Sequence, residues 1–165
     1  MPSIVKERVS AHVEGGFVVF LIGMRINTLW KVGAWLPVVQ AMVRMQIELA
    51  KRPELGLLHL RNHFGLRNIM TVQYWRSFDH LEAFARGDGL SHLPAWQAFS
   101  RNLARAGDVG IWHETYMVSP GQYESVYHNM PRYGLGQAGD LRPATGSWQT
   151  AQARLQAARD TSTSA

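Results

Sequence analysis

The stretch Asp108-Val-Gly-Ile-Trp-His-Glu-Thr-Tyr-Met-Val118 alternates between two sets of bulky or ionisable side chains. Such alternation is typical of a β-strand, because successive side chains of a strand point to opposite faces of its sheet. His113 and Thr115 share one predicted face, whereas Trp112 and Tyr116 share the other. Since both faces carry aromatic or ionisable groups, the pattern indicates a packed layer on one side and a lined cavity on the other.

Three further strands are predicted upstream of this one. The first covers residues 17–27 and is apolar on both faces at its start, which is typical of a strand buried on two sides. Residues 55–64 and 69–76 form a predicted hairpin, because a short turn containing Gly65 separates two runs with strand periodicity.

Two helical regions separate these strands. Apolar side chains at helical spacing predict a helix over residues 37–51, with Pro37 in its first turn, where a missing N–H costs nothing. Ser77 is the predicted N-cap of a second helix over residues 78–85. A further helical piece is predicted over about residues 92–106.

The resulting order, β-α-β-β-α-β, predicts an α+β fold of the ferredoxin-like type, with an antiparallel four-stranded sheet and helices on one face. The other face keeps apolar side chains, which a lone sheet would leave in water. Stacking two sheets in a homodimer, as a dimeric α+β barrel, is the economical solution. The apolar residues assigned to this open face are Phe17, Val19, Leu21, Leu57 and Trp75.

Composition divides the chain into four segments. Residues 1–14 are polar and are predicted to form an N-terminal arm, and residues 15–118 form the ferredoxin-like domain. Residues 119–135 contain three Tyr and are predicted to be an arm that wraps a partner or covers a pocket mouth. Residues 136–165 are rich in small and polar side chains, which predicts a flexible tail with room for one short helix.

Overall composition is that of a globular protein, with 46% hydrophobic and 18% charged residues. The net charge of +5 does not indicate nucleic-acid binding, because the basic residues are scattered singly and form no block. There is no Cys and no signal-peptide-like apolar run, so we expect a cytoplasmic protein. The longest apolar run, from Phe17 to Met24, is too short to span a bilayer, so no membrane is expected as a partner.

Polar and aromatic side chains recur at odd-numbered strand positions, which we interpret as one sheet face lining a small-molecule pocket. His113 is a candidate general acid/base or axial ligand, and we expect His92 to face this pocket from the second helical piece. The alternative is that these side chains are structural, for example histidines satisfied by backbone carbonyls. We expect the second strand to lie beside the fourth, which would place His113 near His59 or Arg61. The candidates for this pocket are His113, His92, Asn27, Arg25, Trp75, His59, Arg61, Trp96 and Tyr116.

A metal site is not expected. His59 and His63 are four positions apart on a strand, too far apart to chelate one ion easily, and no carboxylate accompanies them on the predicted face. The glycine-rich pieces match neither a phosphate-binding loop nor a dinucleotide fingerprint, and no Ser stands in a nucleophile elbow.

Several segments resemble the antibiotic-biosynthesis monooxygenase superfamily of dimeric α+β barrels. The first is Val72-Gln-Tyr-Trp-Arg-Ser-Phe-Asp-His-Leu-Glu-Ala-Phe84 followed by Ser91-His92, which matches a strand ending in Trp, an acidic helix start and a helical His. Over about residues 15–140, the chain more specifically resembles a bacterial and fungal branch of this superfamily. This branch has members in fungal polyketide and terpenoid pathways. The segments that carry this narrower resemblance are Phe20-Leu-Ile-Gly-Met-Arg-Ile-Asn27 with Trp30-Lys31, His92-Leu-Pro-Ala-Trp96, and Gly110-Ile-Trp-His-Glu-Thr-Tyr116 with Tyr127-His-Asn-Met-Pro131.

The resemblance implies a monooxygenase-like enzyme of secondary metabolism. Such an enzyme would use O₂ on a small apolar, aromatic or enolisable substrate, without metal, flavin or another cofactor. Asn27 matches a first-strand Asn of these enzymes, and Trp75 and His92 match their aromatic and helical positions. By the same resemblance, Arg25 or Arg61 would hold an enolate or a carboxylate.

Two alternatives remain open at this point. A related branch handles haem through a helical His, with a Trp about ten residues upstream, where this chain has Phe84 instead. Haem binding of another kind, including aldoxime-dehydratase-like chemistry, would use His92 or His113. The second alternative is a dimer that binds a small molecule without turnover.

Overall fold

The computed structural model describes residues 3–87 and 107–163 and contains two antiparallel sheets. The smaller sheet pairs the first and last strands of the chain, and the larger has four strands in the order β3-β4-β2-β5. The strands are β1 Val9–His12, β2 Phe17–Ile26, β3 Leu57–Phe64, β4 Asn68–Trp75, β5 Val109–Val118 and β6 Asp140–Pro143.

Four α-helices accompany these strands within the described residues. They are α1 Val32–Lys51, α2 Phe78–Arg86, α3 Leu135–Ala138 and α4 Ala151–Thr163. The succession β2-α1-β3-β4-α2-β5 confirms the ferredoxin-like order, and the helical piece predicted over 92–106 lies outside the described residues. Within 3–87 and 107–163, no helix combines the length and apolar character needed to cross a membrane.

The predicted start is confirmed for helix α2 but not for helix α1. Helix α2 begins as predicted, with the Ser77 hydroxyl accepting a hydrogen bond from the backbone N–H of His80 at 3.3 Å. Helix α1 begins at Val32, earlier than predicted, so Pro37 lies inside it. Proline removes the donor that would bond to the carbonyl of Gly33. The lost bond is one that would join the first two turns of the helix.

One of the two predicted strand neighbours in the sheet is confirmed and the other is wrong. The first strand of the ferredoxin-like unit, β2, does lie beside the third, β4, but the second and fourth strands, β3 and β5, lie at opposite edges. His113 on β5 is therefore not adjacent to His59 or Arg61 on β3, which corrects that expectation.

Helices α1 and α2 cover one face of the main sheet, which we call the helix face. Near one end of β2, Val18 and Trp75 pack with Leu49 of α1 and with Leu81 and Phe84 of α2. Near the other end, a second apolar cluster joins β2 and β5 to α1, through Met24, Ile26, Val109, Val38 and Met42. The helix layer is thus anchored at both ends of β2.

The opposite face, which we call the open face, is covered over only part of its area. Phe17 packs there with Ala11 and Val13 from the N-terminal segment and with Leu135 of α3. Tyr123 lies edge-on to Phe17, with ring centroids 5.0 Å apart, and its hydroxyl contacts the backbone of Val13. The two terminal segments, joined by the β1–β6 pairing, therefore form a cap over one end of this face.

The C-terminal helix α4 is attached through one buried arginine. Arg154 is 5% exposed, and its guanidinium donates to Glu124 Oε2 at 2.6 and 2.9 Å. The same side chain donates to the carbonyl oxygens of Trp148 and Gln149, both at 2.9 Å. A charged side chain with this number of acceptors fixes a helix that has little apolar surface of its own.

We expect Arg154→Met to release α4 and leave the main sheet intact. The substitution removes charge-assisted bonds and leaves Glu124 without its cation, a loss of roughly 1–3 kcal/mol in the docking of the helix. Hydrogen exchange of the α4 amides should accelerate, while exchange in β2 and β4 stays slow. Gln152→Met, at an exposed position of the same helix, is the control. Unchanged protection of α4 in Arg154→Met would contradict this account.

Candidate functional site

The register of the central strands decides which side chains share a face. Residues 18, 20, 22 and 24 of β2 are paired with 75, 73, 71 and 69 of β4. The same residues of β2 are paired with 117, 115, 113 and 111 of β5. Even-numbered positions of β2 therefore share the helix face with odd-numbered positions of both neighbours, since directly paired residues point the same way.

A bulge in β3 changes its parity as well. Leu57 pairs with Trp75, but His59 pairs with Tyr74, so one extra residue is accommodated at Leu58. Leu60 and the even positions after it lie on the helix face. His59 and Arg61 consequently lie on the open face with the odd positions of β2. The odd positions of β4 and β5, including Trp75, were expected on that same face but lie on the helix face.

Between the two apolar clusters, the helix face carries a cavity of about 330 Å³. Its floor is formed by the middle of β2 with β4 and β5, and its walls by α1 and α2. Most of the lining is apolar, as in small-molecule sites generally. The lining residues among those described are Phe20, Ile22, Gln73, Ile111, His113 and Thr115 from the sheet, with Ala41, Met42, Met45, Phe78, Leu81, Glu82, Phe84 and Ala85 from the helices.

His113 is the predicted site residue that lines this cavity. Its ring centroid lies 5.7 Å from that of Phe20, and its Cα partner on β2 is Ile22. Among the described residues, no hydrogen-bond partner occupies either ring nitrogen. An imidazole held by the strand but not engaged elsewhere is available to accept or donate a proton.

Gln73 is the most buried polar residue of the cavity wall, at 1% exposure. Its Oε1 accepts a hydrogen bond from Trp75 Nε1 at 2.9 Å, and its Nε2 has no partner among the described residues. Trp75 itself is 0% exposed and packs in the apolar cluster with Phe84, so it does not line the cavity, which corrects its predicted position.

A satisfied polar network lies elsewhere on the helix face. Gln46 Nε2 donates to Asn62 Oδ1 at 2.9 Å, and Asn62 Nδ2 donates back to Gln46 Oε1 at 2.7 Å. The Thr71 hydroxyl donates to Asn62 Oδ1 at 2.7 Å and accepts from Gln46 Nε2 at 3.1 Å. These groups bind α1 to the sheet and are occupied with one another.

Four predicted site residues lie on the open face, and the expectation that they line the cavity with His113 is wrong. Arg25 points to the open face and donates to Asn68 Oδ1 at 3.3 Å. Tyr116 is on the open face of β5, where its hydroxyl contacts Glu114 Oε2 at 2.6 Å. His59 and Arg61 are on the open face of β3, and Arg61 stacks on the ring of Tyr133, 3.9 Å from its centroid.

Asn27 has a structural environment at the end of β2. Its side-chain amide donates to the carbonyl oxygen of Gly107 at 2.9 Å, and its backbone N–H donates to that of Asp108. Asp108 accepts a 2.9 Å bond from Lys31 Nζ, which is the main reason that the pKa of this carboxyl is lowered. These bonds fix the start of β5 and with it the direction in which His113 points. Asn27 does not line the cavity, which corrects its predicted position.

His92 and Trp96 lie outside the described residues. The polar cavity residues that the candidate set missed are Gln73, Glu82 and Thr115, and it named none of the apolar lining residues, such as Phe20. Gln73 and Thr115 belonged to the odd-numbered pattern, but nothing in the sequence ranked them above the other members. Within 3–87 and 107–163, no group of three or more His, Asp or Glu side chains is placed to hold a metal ion.

We expect His59 to make folding stability depend on pH. Burial, with a smaller effect from the Arg61 charge, lowers the pKa of the His59 imidazole. The unfolded state then binds the proton more tightly, so this contribution is present above about pH 6.5 and is lost as the pH falls through the depressed native pKa. The melting temperature of wild type should fall more steeply towards acid than that of His59→Gln.

His12, whose pKa is also lowered mainly by burial, is present in both proteins, so the comparison isolates His59. Parallel melting curves for the two proteins at every pH would contradict this assignment.

Comparison with known proteins gives a family. A family model described as "Monooxygenase af470-like" matches residues 17–135. The curated protein "Monooxygenase af470" of Aspergillus fumigatus is 29% identical over 134 residues, which are 75% of this chain and 46% of that protein. The chain therefore spans about half the length of the curated relative that it matches.

Solved structures are similar at low identity. One is the cofactor-independent oxygenase SnoaB from Streptomyces nogalater, at 14% identity and a TM-score of 0.43, covering 61% of this chain and 90% of that one. Another is a dimeric ferredoxin-like protein of unknown function from Jannaschia sp. CCS1, at 18% identity and a TM-score of 0.41, covering 59% of this chain and 97% of that one.

Proposed function

We propose that this chain, which belongs to the monooxygenase af470-like family, is an enzyme that uses O₂ to oxidise a small apolar, aromatic or enolisable substrate without metal or flavin. The observation that carries the proposal is the apolar cavity of the helix face with the His113 imidazole on its wall. A substrate held there would meet the His113 imidazole, which can remove a proton, and few other groups able to react.

The reaction we propose balances without an added reductant. A methylene activated by neighbouring aromatic rings or a carbonyl loses a proton to His113, and the resulting carbanion or enolate reduces O₂. One oxygen atom becomes the carbonyl oxygen of the product and the other leaves as water, so that CH₂ + O₂ gives C=O + H₂O. All four electrons come from the substrate. The protein's part is to hold the substrate and take the proton.

The lining of the cavity fits this role. Phe20 and Ile22 provide a flat apolar floor, and Met42 and Met45 provide adaptable walls. Glu82, the carboxylate on the wall, is paired with Arg86 at 2.8 Å, which leaves His113 as the more available base. We propose the cytoplasm as the setting, in line with a Cys-free sequence. Secondary metabolism is proposed on the resemblance to members of fungal polyketide and terpenoid pathways.

We expect His113→Gln to lower oxygen consumption with anthrone, an enolisable aromatic methylene compound, by about 10²–10⁴-fold, the usual contribution of a general base. Glutamine keeps the size and polarity of the side chain but cannot take up a proton at neutral pH. Oxygen uptake is followed with an electrode, and anthraquinone is quantified by absorbance after subtraction of the uncatalysed rate.

His63→Gln, on the open face, is the matched control and should keep wild-type turnover. The same preparations, grown with added haem, are scanned for a Soret band. Turnover that survives in His113→Gln would contradict the assignment of the base. A Soret band lost in that variant would replace the proposal with the haem alternative.

A homodimer through the open face is the second part of the proposal. Beyond the terminal cap this face exposes large apolar side chains, including Trp112 at 36% and Tyr116 at 51%. Trp112 lies directly over Gly23, where an added Cβ would come within 2.7 Å of the indole ring. The glycine thus lets the indole lie close to the sheet, which creates a flat apolar patch suited to a second copy of the sheet.

We expect Trp112→Glu to convert a dimer into a monomer, because it places a charge in the centre of this patch. Size-exclusion chromatography with light scattering at micromolar concentration measures the change. Leu66→Glu, at an apolar side chain that is 85% exposed in the β3–β4 turn, is the control and should remain dimeric. A wild-type protein that is a stable monomer at this concentration would refute the proposed assembly.

A further inference from the structure

The Gln73–Trp75 pair gives the cavity a donor of fixed direction. An indole N–H can only donate, so the Gln73 atom 2.9 Å from Trp75 Nε1 must be the amide oxygen. The two side chains are two positions apart on β4 and point to the same face. Because Trp75 is completely buried, its ring cannot turn away, and the amide is held with Nε2 as its other end.

This Nε2 is a buried donor without a partner among the described residues. Such groups are rare in folded proteins, because burial removes their hydrogen bonds to water and no bond within the protein replaces them. The other glutamine of this layer shows the contrast. Gln46 uses its side-chain oxygen and nitrogen in bonds to Asn62 and Thr71. An unpaired amide nitrogen on the wall of a cavity therefore indicates a ligand atom that completes it.

We infer that Gln73 Nε2 hydrogen-bonds to an oxygen acceptor of the substrate, a ketone, phenol or enolate oxygen, and that Trp75 is the positioning residue that holds the donor ready. The inference rests on the proposed function for the identity of the cavity as a substrate site, and it adds the chemical group that the site selects. A bond that strengthens as charge develops on that oxygen also favours loss of the proton from a carbon that is conjugated with it through the ring.

The sheet register sets the length of such a substrate. Phe20 is paired with Gln73 on one side and with Thr115 on the other, so these three side chains form a row across the floor. Two strand spacings separate the ends of that row by about 10 Å. His113 stands beside Thr115 on the same strand and face. The substrate class is therefore an apolar ring compound that lies over Phe20, with its oxygen at the Gln73 end.

Access to the donor requires a small adjustment of the wall, since Gln73 exposes only 1% of its surface. Met42 and Met45 line the same cavity, and their unbranched side chains repack at low cost. An entering acceptor can then reach Nε2.

Binding of two matched probes under argon tests the inference without turnover. The ketone 1-tetralone and the hydrocarbon tetralin have the same ring skeleton and differ in one carbonyl oxygen. We expect wild type to bind the ketone about tenfold more tightly, as sites built around a buried hydrogen-bonding group reject analogues that lack the partner. In ¹⁵N-labelled protein, the side-chain NH₂ signals of Gln73 should move with the ketone and stay with the hydrocarbon.

Three variants separate recognition from structure. Gln73→Met keeps the length of the side chain but has no donor, so the preference for the ketone should disappear while tetralin still binds. Trp75→Phe releases the amide, so the ketone preference should fall and the Gln73 NH₂ signals should broaden even where the fold is retained. Gln46→Met, in the satisfied network, should keep the wild-type preference.

Equal affinity of wild type for the two probes, failure of the ketone to bind at millimolar concentration, or a preference that persists in Gln73→Met would overturn the inference. If Gln73→Met does not fold, the Gln73 signals of wild type decide alone. Selection of the ketone without oxygen consumption on anthrone would support this binding site and contradict the proposed oxygenation. Oxidation of anthrone without selectivity for the ketone would support the oxygenation and contradict the binding site.

Discussion

The register of β2 with its two neighbours is the constraint on which the rest of the molecule depends. Both ends of the strand are pinned, since Phe17 and Val18 at one end and Met24 and Ile26 at the other are buried. Its middle is only half-buried, and there the helix layer leaves the cavity. A shift of β2 by one residue would move Phe20 and Ile22 to the face opposite Gln73 and His113. It would also expose the residues that are now buried at the two ends of the strand. The same packing that fixes the fold therefore fixes the chemistry of the site.

The strands and helices could be predicted from the sequence, but which side chains of different strands share one face of the sheet could not. Alternation within one strand assigns His113 and Thr115 to the same side correctly, because that is a local property of the backbone. Residue numbers carry no such information between strands, since the lengths of the connections are arbitrary. Here even positions of β2 lie beside odd positions of β4 and β5, and the bulge at Leu58 reverses the assignment again for His59 and Arg61.

Other features escaped prediction for related reasons. The β1–β6 sheet is formed by two four-residue strands from opposite ends of the chain, pairing Val9 with Pro143, which leaves almost no local signal. A glutamine is ordinary in a half-buried strand, and the significance of Gln73 comes from the missing hydrogen-bond partner of its Nε2 among the described residues. The spacing of Gln73 and Trp75 was visible in the sequence, but only the buried side-chain bond between them shows that one orients the other.

The two faces of the sheet divide chemistry from assembly, and β5 connects them. β5 is an edge strand, so its free side has no neighbour in the described sheet to hold it in place. His113 points into the cavity from this strand, while the preceding residue, Trp112, lies over Gly23 on the open face. A second copy stacked on Trp112 would clamp the strand from the side opposite the cavity. In the proposed dimer, the contact that hides the apolar patch would thus also steady the backbone that carries the base, although no residue of the partner needs to enter the cavity.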